Sequence, residues 1–392
     1  MESVFGPADI LLPECAMETW SVVACDQFTA QPRYWEQCDA LVGEAPSSLR
    51  LILPEAFLGD HDEERIAAAD RRMEEYLHAG IFREYPQSMI YVERETSTGV
   101  RRGIVGAVRL ADYDYRKGSR AAVRATEQTV AERIPPRVRI RRGACLELPH
   151  VMLLMDDPTD AVCGRLSRSR EQMECVYDFE LMQGGGRIRG CLLPRELQRE
   201  TEAALEALRH PDGLLLAVGD GNHSLAAAKE CAAGGGERAQ YALAEVVNIH
   251  DPSLIFEPIY RVIRGAEPEV LAEKVRCALG TAAEGQRVTL VLGEREETLC
   301  IPPTSQLTVG SVQNALDGLV RECPELTVDY IHGETAVREL CRDGGYVGLL
   351  FDGMRKEELF RAVSADGCLP RKTFSMGHAE DKRYYLEARR IR

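Results

Sequence analysis

Aromatic residues and lysine are both scarce in this chain. Aromatics make up 6% of its 392 residues, and lysine occurs six times against 42 arginines. We attribute most of the arginine excess to overall composition, but each of the few lysines becomes a candidate for gripping a phosphate as a compact charge. The net charge of −15 argues against a broad basic face, so duplex nucleic acid and membrane surfaces are disfavoured as partners.

Long apolar runs and paired cysteines are also missing. No segment approaches the ~20 apolar residues of a membrane span, and the N-terminus has no secretory-leader pattern. The thirteen cysteines are odd in number and form no C-x-x-C pair, which argues against a disulfide framework or a zinc site. We therefore expect a cytoplasmic protein with no membrane partner, and nothing in the sequence indicates its oligomeric state.

The common nucleotide and hydrolase motifs are absent as well, so local geometry has to point to a site. The apolar run Leu214–Val218 predicts a buried strand, Gly219 and Gly221 predict a tight turn, and the alanine-rich stretch from Leu225 predicts a helix. The turn brings four polar residues to the helix start: Asp220, Asn222, His223 and Ser224. Free backbone N–H groups and the helix dipole attract anions there, although Asn or Ser could equally be an ordinary helix cap.

A cluster of arginines in this acidic chain is a second candidate. It comprises arginines 124, 133, 137, 139, 141 and 142. We favour an anion clamp for Arg124 and Arg133, and a solvated face for the other four. Glu127 lies between those two arginines and is open to three interpretations: a structural ion pair, a metal ligand or a general base. Pro135-Pro136 predicts a break in any helix across this segment.

The remaining candidate is a rare lysine near the C-terminus. Lys372 stands in the short polar stretch Pro370-Arg-Lys-Thr-Phe374 and could reach a phosphate, although an exposed surface turn is the simpler interpretation. Alternating strands and helices predict an α/β fold with a mixed sheet, with α+β still open. We expect a main domain over residues 1–264 and a smaller C-terminal α/β lobe over 265–392, whose tail (366–392) could return to the site.

These motifs together resemble a known family. With Gly-Asp-Gly-Asn-His-Ser at 219–224, Arg-Ala-Thr-Glu-Gln-Thr at 124–129 and Leu-Pro-Arg-Lys-Thr-Phe at 369–374, the chain resembles the uncharacterised bacterial family catalogued as domain of unknown function 1015. Many relatives carry Asp-Gly-His-His-Arg at the turn and His-Glu-x-Thr at the second motif. The resemblance therefore supports Glu127 and Thr129 but leaves no histidine beside them, and the arginine of the turn is Ser224 here.

The turn is also similar to the nucleotide-handling turn of the ParB and sulfiredoxin-like superfamily. That group includes CTP-hydrolysing partition proteins, a sulfinic acid reductase that uses ATP and kinases of free serine. The resemblance covers about a dozen residues and implies nucleotide phosphates at the helix start. Reductase chemistry is disfavoured because Asn222 stands where the reductase has its catalytic cysteine.

We therefore predict a nucleotide-dependent phosphotransferase or phosphohydrolase that acts on a small hydroxylated metabolite, with free serine among the candidates. Asp220 or Glu127 would bind Mg²⁺ or accept the hydroxyl proton, and His223 would orient a group or exchange a proton. ATP or ADP would be held by three groups of residues. The turn contributes Gly219, Gly221, Asn222 and Ser224, the basic side chains are Arg124, Arg133 and Lys372, and Thr129 contributes a hydroxyl. The alternatives are a sensor of a phosphate-bearing ligand and, least favoured, a ParB-like partner of nucleic acid.

Overall fold

The chain forms two compact units in the computed structural model, which describes residues 3–59 and 61–392. Unit 1 contains the described residues up to Ala125, together with Thr129–Leu254 and Gly377–Arg392. Unit 2 contains Thr126–Gln128 and Ile255–Met376.

These units differ from the expected division at residues 264 and 265. Strand Phe256–Arg264 belongs to unit 2, because it pairs there with strands Thr327–His332 and Val347–Phe351. Of the expected C-terminal lobe, the last segment Gly377–Arg392 belongs to unit 1.

Helices are distributed over both units. The α-helices of the described ranges are α1 (Met17–Trp20), α2 (Pro32–Val42), α3 (Asp62–His78), α4 (Ile134–Gly143), α5 (Cys163–Arg168), α6 (Arg195–Glu206), α7 (Asn222–Ala232), α8 (Pro268–Leu279), α9 (Thr308–Glu322), α10 (Glu334–Arg342) and α11 (Lys356–Asp366). Short 3₁₀ helices span Ser48–Leu51, Glu55–Phe57, Leu110–Asp112, Ala131–Arg133, Arg170–Gln172 and Glu237–Gln240. Not one of the helices in residues 3–59 and 61–392 has the length and apolar character needed to cross a membrane.

Strands alternate with these helices along the chain. They are β1 (Phe5–Gly6), β2 (Ala8–Pro13), β3 (Val22–Val23), β4 (Phe82–Ser88), β5 (Ile90–Thr96), β6 (Gly99–Arg109), β7 (Tyr113–Asp114), β8 (Val123–Ala125), β9 (Leu146–Glu147), β10 (Met152–Met155), β11 (Glu174–Leu181), β12 (Gly186–Leu192), β13 (Leu216–Asp220), β14 (Tyr241–Asn248), β15 (Phe256–Arg264), β16 (Gln286–Leu292), β17 (Arg295–Ile301), β18 (Thr327–His332), β19 (Val347–Phe351), β20 (Phe374–Met376), β21 (Tyr384–Tyr385) and β22 (Arg389–Arg390).

Unit 1 is organised around a mixed sheet. Its strand order is β11-β12-β5-β6-β14-β10-β13-β8-β7, with β1 paired to β6. β10 runs parallel to β14 and β13 runs parallel to β8, whereas β13 is antiparallel to β10. Along β5, Ile90 and Val92 belong to one hydrophobic cluster and Tyr91 to another. Since successive side chains point to opposite faces, both faces of this sheet are buried. The predicted α/β fold with a mixed sheet is confirmed.

Helix α4 begins where a break was predicted. Pro135 and Pro136 lie in its first turn, preceded by the 3₁₀ helix Ala131–Arg133. A proline in a first turn gives up an N–H group that would have no acceptor within the helix anyway, and its fixed φ suits the helix start. The two prolines therefore belong to the start of the helix, and Arg137 directly follows them.

Unit 2 has its own sheet and core. The strand order is β17-β16-β19-β15-β18, with β20 paired to β15, and the pairs are antiparallel. Helices α8 and α9 bury their apolar faces, which include Leu271 and Val275 on α8 and Val312 and Leu316 on α9.

Candidate functional site

The candidate site in unit 1 is built on the turn between β13 and α7. Gly221 precedes the helix with φ of +80°, a left-handed conformation that favours glycine. At Gly219, a Cβ atom would lie 2.8 Å from Cγ of Leu154 on the neighbouring strand, so only glycine passes there without displacing that side chain. The Asp220 carboxylate accepts the Gly221 N–H at 2.9 Å. The two glycines thus hold a turn that presents Asp220 next to the helix start.

Asn222 and Ser224 lie inside the first turn of α7. The residue that precedes the helix is Gly221, and no side chain caps its start. The interpretation of Asn222 or Ser224 as an ordinary cap therefore does not hold. The N–H groups of this first turn have no acceptor within the helix and carry the positive end of its dipole.

Lys382 supplies a positive charge at this turn. Its ammonium nitrogen lies 3.4 Å from Oδ2 of Asp220. Burial by itself would raise the pKa of Asp26, but the attraction of His150 and a hydrogen bond from Gln27 hold that pKa below its usual value. Lys382 contributes to the same lowering. One ammonium group therefore acts on two carboxylates, Asp26 and Asp220.

His223 is a neutral imidazole in this environment. Burial, followed by the positive charges of Arg137 and Arg133, lowers its pKa to about 4. Its Nε2 atom accepts a hydrogen bond from the backbone N–H of Val130 at 3.2 Å. Burial is the larger cause of this lowering, and the two guanidinium groups add positive charge near His223 that an anionic ligand could use.

Arg133 and Arg137 differ in how far their charges are balanced. Arg137 pairs with Glu55, whereas Arg133 is exposed and has no carboxylate partner within residues 3–59 and 61–392. Both guanidinium groups act on His223. The predicted role of Arg133 in attracting an anion is compatible with this position.

Two polar atoms beside the helix start are buried without a hydrogen bond. They are Oγ1 of Thr129 and Oδ1 of Asn222, judged against the part of the chain that the structure describes. A buried polar atom that lacks a partner is costly, and such atoms are commonly completed by a ligand or by water. Thr129 is next to Val130, whose N–H binds His223, so both atoms are candidates for contacting a ligand of this site.

A chain of hydrogen bonds runs from Ser224 into the core of unit 1. The Ser224 hydroxyl lies 3.1 Å from Nε2 of His150, and Nδ1 of His150 lies 2.8 Å from the hydroxyl of Tyr385. Tyr385 donates in turn to Sγ of Cys25 at 3.0 Å. Asp26 approaches the same Nε2 atom to 3.9 Å.

The residues of this hydrogen-bond chain border a cavity of about 150 Å³ in unit 1. Its polar lining comprises Cys25, His150, Ser224 and Tyr385 together with the charged side chains Glu55, Arg137, Arg141 and Glu147. The rest is largely aliphatic and includes Met73 of α3, Ile140 of α4 and Leu225 of α7. A cavity of this size is large enough for an apolar group about as big as benzene.

Comparison with known families now identifies the chain's relatives. The model described as "Protein of unknown function (DUF1015)" matches residues 9–319. The chain belongs to the DUF1015 family. The predicted family membership is confirmed. A search of curated proteins finds no match.

Solved structures give weaker likenesses. A free serine kinase (E30A mutant) in complex with ADP aligns over 71% of this chain and 92% of its own, with 15% identity and a TM-score of 0.39. A conserved hypothetical protein from Pyrococcus furiosus covers 67% of this chain and 90% of its own, at 15% identity and a TM-score of 0.35. SbnI from Staphylococcus aureus covers 72% and 82%, at 11% identity and a TM-score of 0.37. Likenesses this low carry no argument about this DUF1015 protein.

Arg124 is not placed to clamp a phosphate, which corrects one prediction. Its buried guanidinium group pairs with Asp212 at 2.6 Å and also donates to the backbone carbonyls of Asp212 and Ala121. These contacts occupy its NH groups within unit 1 and tie β8 to the segment before β13. The sequence could not distinguish such a structural arginine from a ligand-binding one.

Glu127 and Lys372 lie together in unit 2, whereas Asp220 and His223 lie in unit 1. The Glu127 carboxylate accepts the backbone N–H of Thr373 at 3.3 Å and is also attracted by Lys372 and Arg261. Burial outweighs these contacts and raises its pKa. Glu127 and Lys372, which were predicted as separate members of one site with Asp220, thus form a cluster in unit 2.

The predicted Mg²⁺ ligands, Asp220 and Glu127, belong to different units. Within residues 3–59 and 61–392, no group of three or more His, Cys, Asp or Glu side chains is placed to hold a metal ion. Mg²⁺ is often bound by only one or two carboxylates, with water and substrate phosphates completing its six oxygen ligands. In unit 1, Asp26 and Asp220 fit that arrangement only if a bound phosphate supplies further oxygens.

Four site residues escaped prediction from the sequence: Asp26, His150, Lys382 and Tyr385. Asp26 falls within Val-Val-Ala-Cys-Asp-Gln-Phe at 22–28, which the family resemblance could have singled out, and Lys382 is one of only six lysines. His150 and Tyr385 carry no local signal. They reach Ser224 only because β10, α7 and the C-terminal segment meet in unit 1.

Proposed function

We propose that the protein is a nucleotide-dependent phosphotransferase or phosphohydrolase whose phosphate site is the start of α7 in unit 1. The observation that carries the proposal is geometric: the start of α7 has no side-chain cap, Lys382 lies 3.4 Å from Asp220 beside it, and Arg133 and Arg137 act on His223 in its first turn. Positive charge of this kind beside a helix N-terminus favours a phosphate. Phosphoryl transfer depends chiefly on such positioning and charge.

Each group at the turn has a proposed task. The first-turn N–H groups of α7 and the ammonium group of Lys382 would bind phosphate oxygens. Asn222 and Thr129, whose buried oxygen atoms lack partners in the described ranges, would contact the rest of the nucleotide or its bound water. His223, being neutral, would accept or donate a hydrogen bond without adding charge.

The carboxylates would act on the acceptor side. The lowered pKa of Asp26 keeps it ionised at neutral pH, so it can accept a hydrogen bond from an acceptor hydroxyl and orient it. Asp220 would hold Lys382 in place before the nucleotide binds. If Mg²⁺ takes part, it would bind with the nucleotide and neutralise phosphate charge, with Asp220 or Asp26 as its protein ligand.

The acceptor class is a small hydroxylated metabolite, and free serine is the first one to test. The resemblance of the Asp-Gly-x-His motif to the ParB and sulfiredoxin-like superfamily, which remains an expectation from the sequence, implies a nucleotide at this position. The thirteen free cysteines are consistent with a protein that functions in a reducing compartment such as the cytoplasm.

The cluster of Glu127 and Lys372 in unit 2 is proposed as a second functional group, on which the phosphate site does not depend.

The test is a binding screen followed by product analysis on the full-length protein. We expect ATP or ADP, with Mg²⁺, to raise the thermal midpoint, and we expect the nucleotide to be consumed when amino acids or sugars are supplied. Asp220→Asn keeps an oxygen that can accept the Gly221 N–H, so it should preserve the fold. It should reduce turnover by about 10²-fold or more, because the ion pair with Lys382 is lost.

Asp178→Asn is the matched control, because it makes the same aspartate-to-asparagine change in a surface ion pair, the one between Asp178 and Arg187. It should leave both binding and turnover as in the unaltered protein. Nucleotide binding without any turnover would establish the alternative of a sensor. If no nucleotide shifts the thermal midpoint, the phosphate site itself is refuted.

A further inference from the structure

Ser224 has the surroundings of an activated nucleophile. Its hydroxyl lies 3.1 Å from Nε2 of His150, within the range for a nucleophile and its general base. It also belongs to the first turn of α7, where unbonded N–H groups favour a developing negative charge. No task of the phosphate site requires this serine–histidine contact.

The hydrogen-bond chain beyond His150 sets its tautomer. Tyr385 donates its proton to Sγ of Cys25, so the tyrosine oxygen is left to accept from Nδ1–H of His150. Nε2 then carries the lone pair and can accept the Ser224 proton.

Asp26 lies near the same imidazole nitrogen that faces Ser224. One of its carboxylate oxygens is 3.9 Å from Nε2. When His150 takes up a proton, its positive charge is stabilised by this carboxylate. Tyr385 and Asp26 together therefore do for His150 what an aspartate does in a serine–histidine–aspartate triad, namely orient the neutral ring and stabilise the charged one.

The aliphatic cavity next to the dyad indicates what would react. Ser224 and His150 line it, and its charged side chains are paired with one another, Arg137 with Glu55 and Arg141 with Glu147. A volume of about 150 Å³ admits an acyl group of a few carbons or a single aromatic ring.

We propose that Ser224 is the nucleophile of an esterase activity, with His150 as its general base and carboxylic esters of short apolar acyl groups as substrates. Ser224 Oγ attacks the carbonyl carbon while His150 Nε2 takes the hydroxyl proton. The bond between carbonyl carbon and alcohol oxygen then breaks, and His150 returns the proton to the leaving alcohol. Water, activated by His150 in the same way, hydrolyses the acyl-serine to a carboxylic acid and regenerates Ser224.

The activity requires no nucleotide, so it can be tested apart from the phosphate site. The full-length protein is treated with a fluorophosphonate probe, and the modified residue is located by mass spectrometry. Hydrolysis of p-nitrophenyl butyrate is followed in parallel. We expect a single adduct on Ser224, and Ser224→Ala should abolish the adduct and lower the hydrolysis rate by about 10²-fold or more.

Two further variants distinguish loss of the nucleophile from loss of the fold. Ser224→Cys keeps a nucleophile at the same position and should still give a burst of p-nitrophenol from acylation. Ser88→Ala is the matched control, because the hydroxyl of that half-buried serine donates to the backbone carbonyl of Pro86 rather than to a histidine. It should keep both labelling and hydrolysis.

Tyr385→Phe tests the positioning role of the tyrosine. It removes the acceptor of the Nδ1–H bond, so kcat should fall while KM stays constant. The proposal is overturned if no adduct forms on Ser224, or if Ser224→Ala hydrolyses the ester as fast as the unaltered protein.

Discussion

At the scale of single residues, the chemical character of the turn before α7 depends on which positively charged side chains lie beside it. The sequence marks Asp220 and His223 because both stand in one short motif. It does not show that Lys382 lies 3.4 Å from Asp220, since the two are far apart along the chain. Arg124 gives the opposite lesson, because its charge is satisfied by Asp212. Charged residues near a motif are therefore a poor guide until their partners are known.

His223 provides a residue-scale prediction on pH. A histidine ordinarily titrates near 6.5, whereas burial and two arginines lower the pKa of His223 to about 4 in the folded protein. The unfolded state therefore binds more protons between these values, so stability is kept above about pH 6.5 and falls as the pH drops toward 4. His223→Gln should flatten the decline of the thermal midpoint between pH 7 and 4.5.

The control for this prediction is His78→Gln, because His78 is exposed at the end of α3. Its pH profile should overlay that of the unaltered protein. If His223→Gln shows the same slope as the unaltered protein, the assigned environment of His223 is incorrect.

At the scale of secondary-structure elements, local patterns predicted the core of the site well. The strand, the turn and the helix predicted in residues 214–229 are present as β13 and α7, but β13 continues through Gly219 and Asp220 and α7 already begins at Asn222. Glycine, alanine and apolar spacing act over a few residues, so a single sequence displays them. The prolines of α4 show the limit, since the same pair can end a helix or begin one.

Gly221→Ala is the element-scale prediction. The left-handed backbone alone should cost roughly 1–2 kcal/mol with a side chain. The new Cβ atom would also lie 3.0 Å from Cγ2 and 3.1 Å from Cα of Val151, which adds steric strain, and it would touch His150 at an ordinary contact distance. Chemical denaturation should show a loss of stability greater than the backbone penalty.

Gly118→Ala is the matched control for this loss. Gly118 has nearly the same φ, +79°, but no atom lies within 4 Å of its added Cβ. It should show the backbone penalty alone. Equal losses in the two variants would mean that the packing of the turn against Val151 and His150 contributes nothing.

At the scale of the whole molecule, two residues of the site in unit 1 come from the C-terminal segment. Lys382 and Tyr385 flank Arg383, which is buried and forms ion pairs with Glu245 and Glu387. Tyr177 donates to the Glu387 carboxylate at 2.6 Å. This buried network ties Gly377–Arg392 to the central sheet of unit 1, and thereby holds the segment at the site.

Glu245→Gln tests that anchoring. Removing one member of a buried charge pair leaves its partner uncompensated, which typically costs about 3–5 kcal/mol. The variant should lower the denaturation midpoint of unit 1 and weaken any ligand stabilisation that depends on Lys382. Asp178→Asn, in an exposed pair with Arg187, should cost about 1 kcal/mol or less. Similar losses in both variants would contradict the anchoring role.

The sequence by itself determined the α/β class, the family, and the strand–turn–helix that carries Asp220 and His223, because these depend on spacings within a short stretch of chain. Tertiary structure alone decided the rest of the site. It brought His150, Asp26, Lys382 and Tyr385 to that turn within unit 1, and it assigned Glu127 with Lys372 to unit 2. Contacts between distant segments depend on the strand order and on the pairing of buried charges. Neither can be predicted from the local pattern of residues.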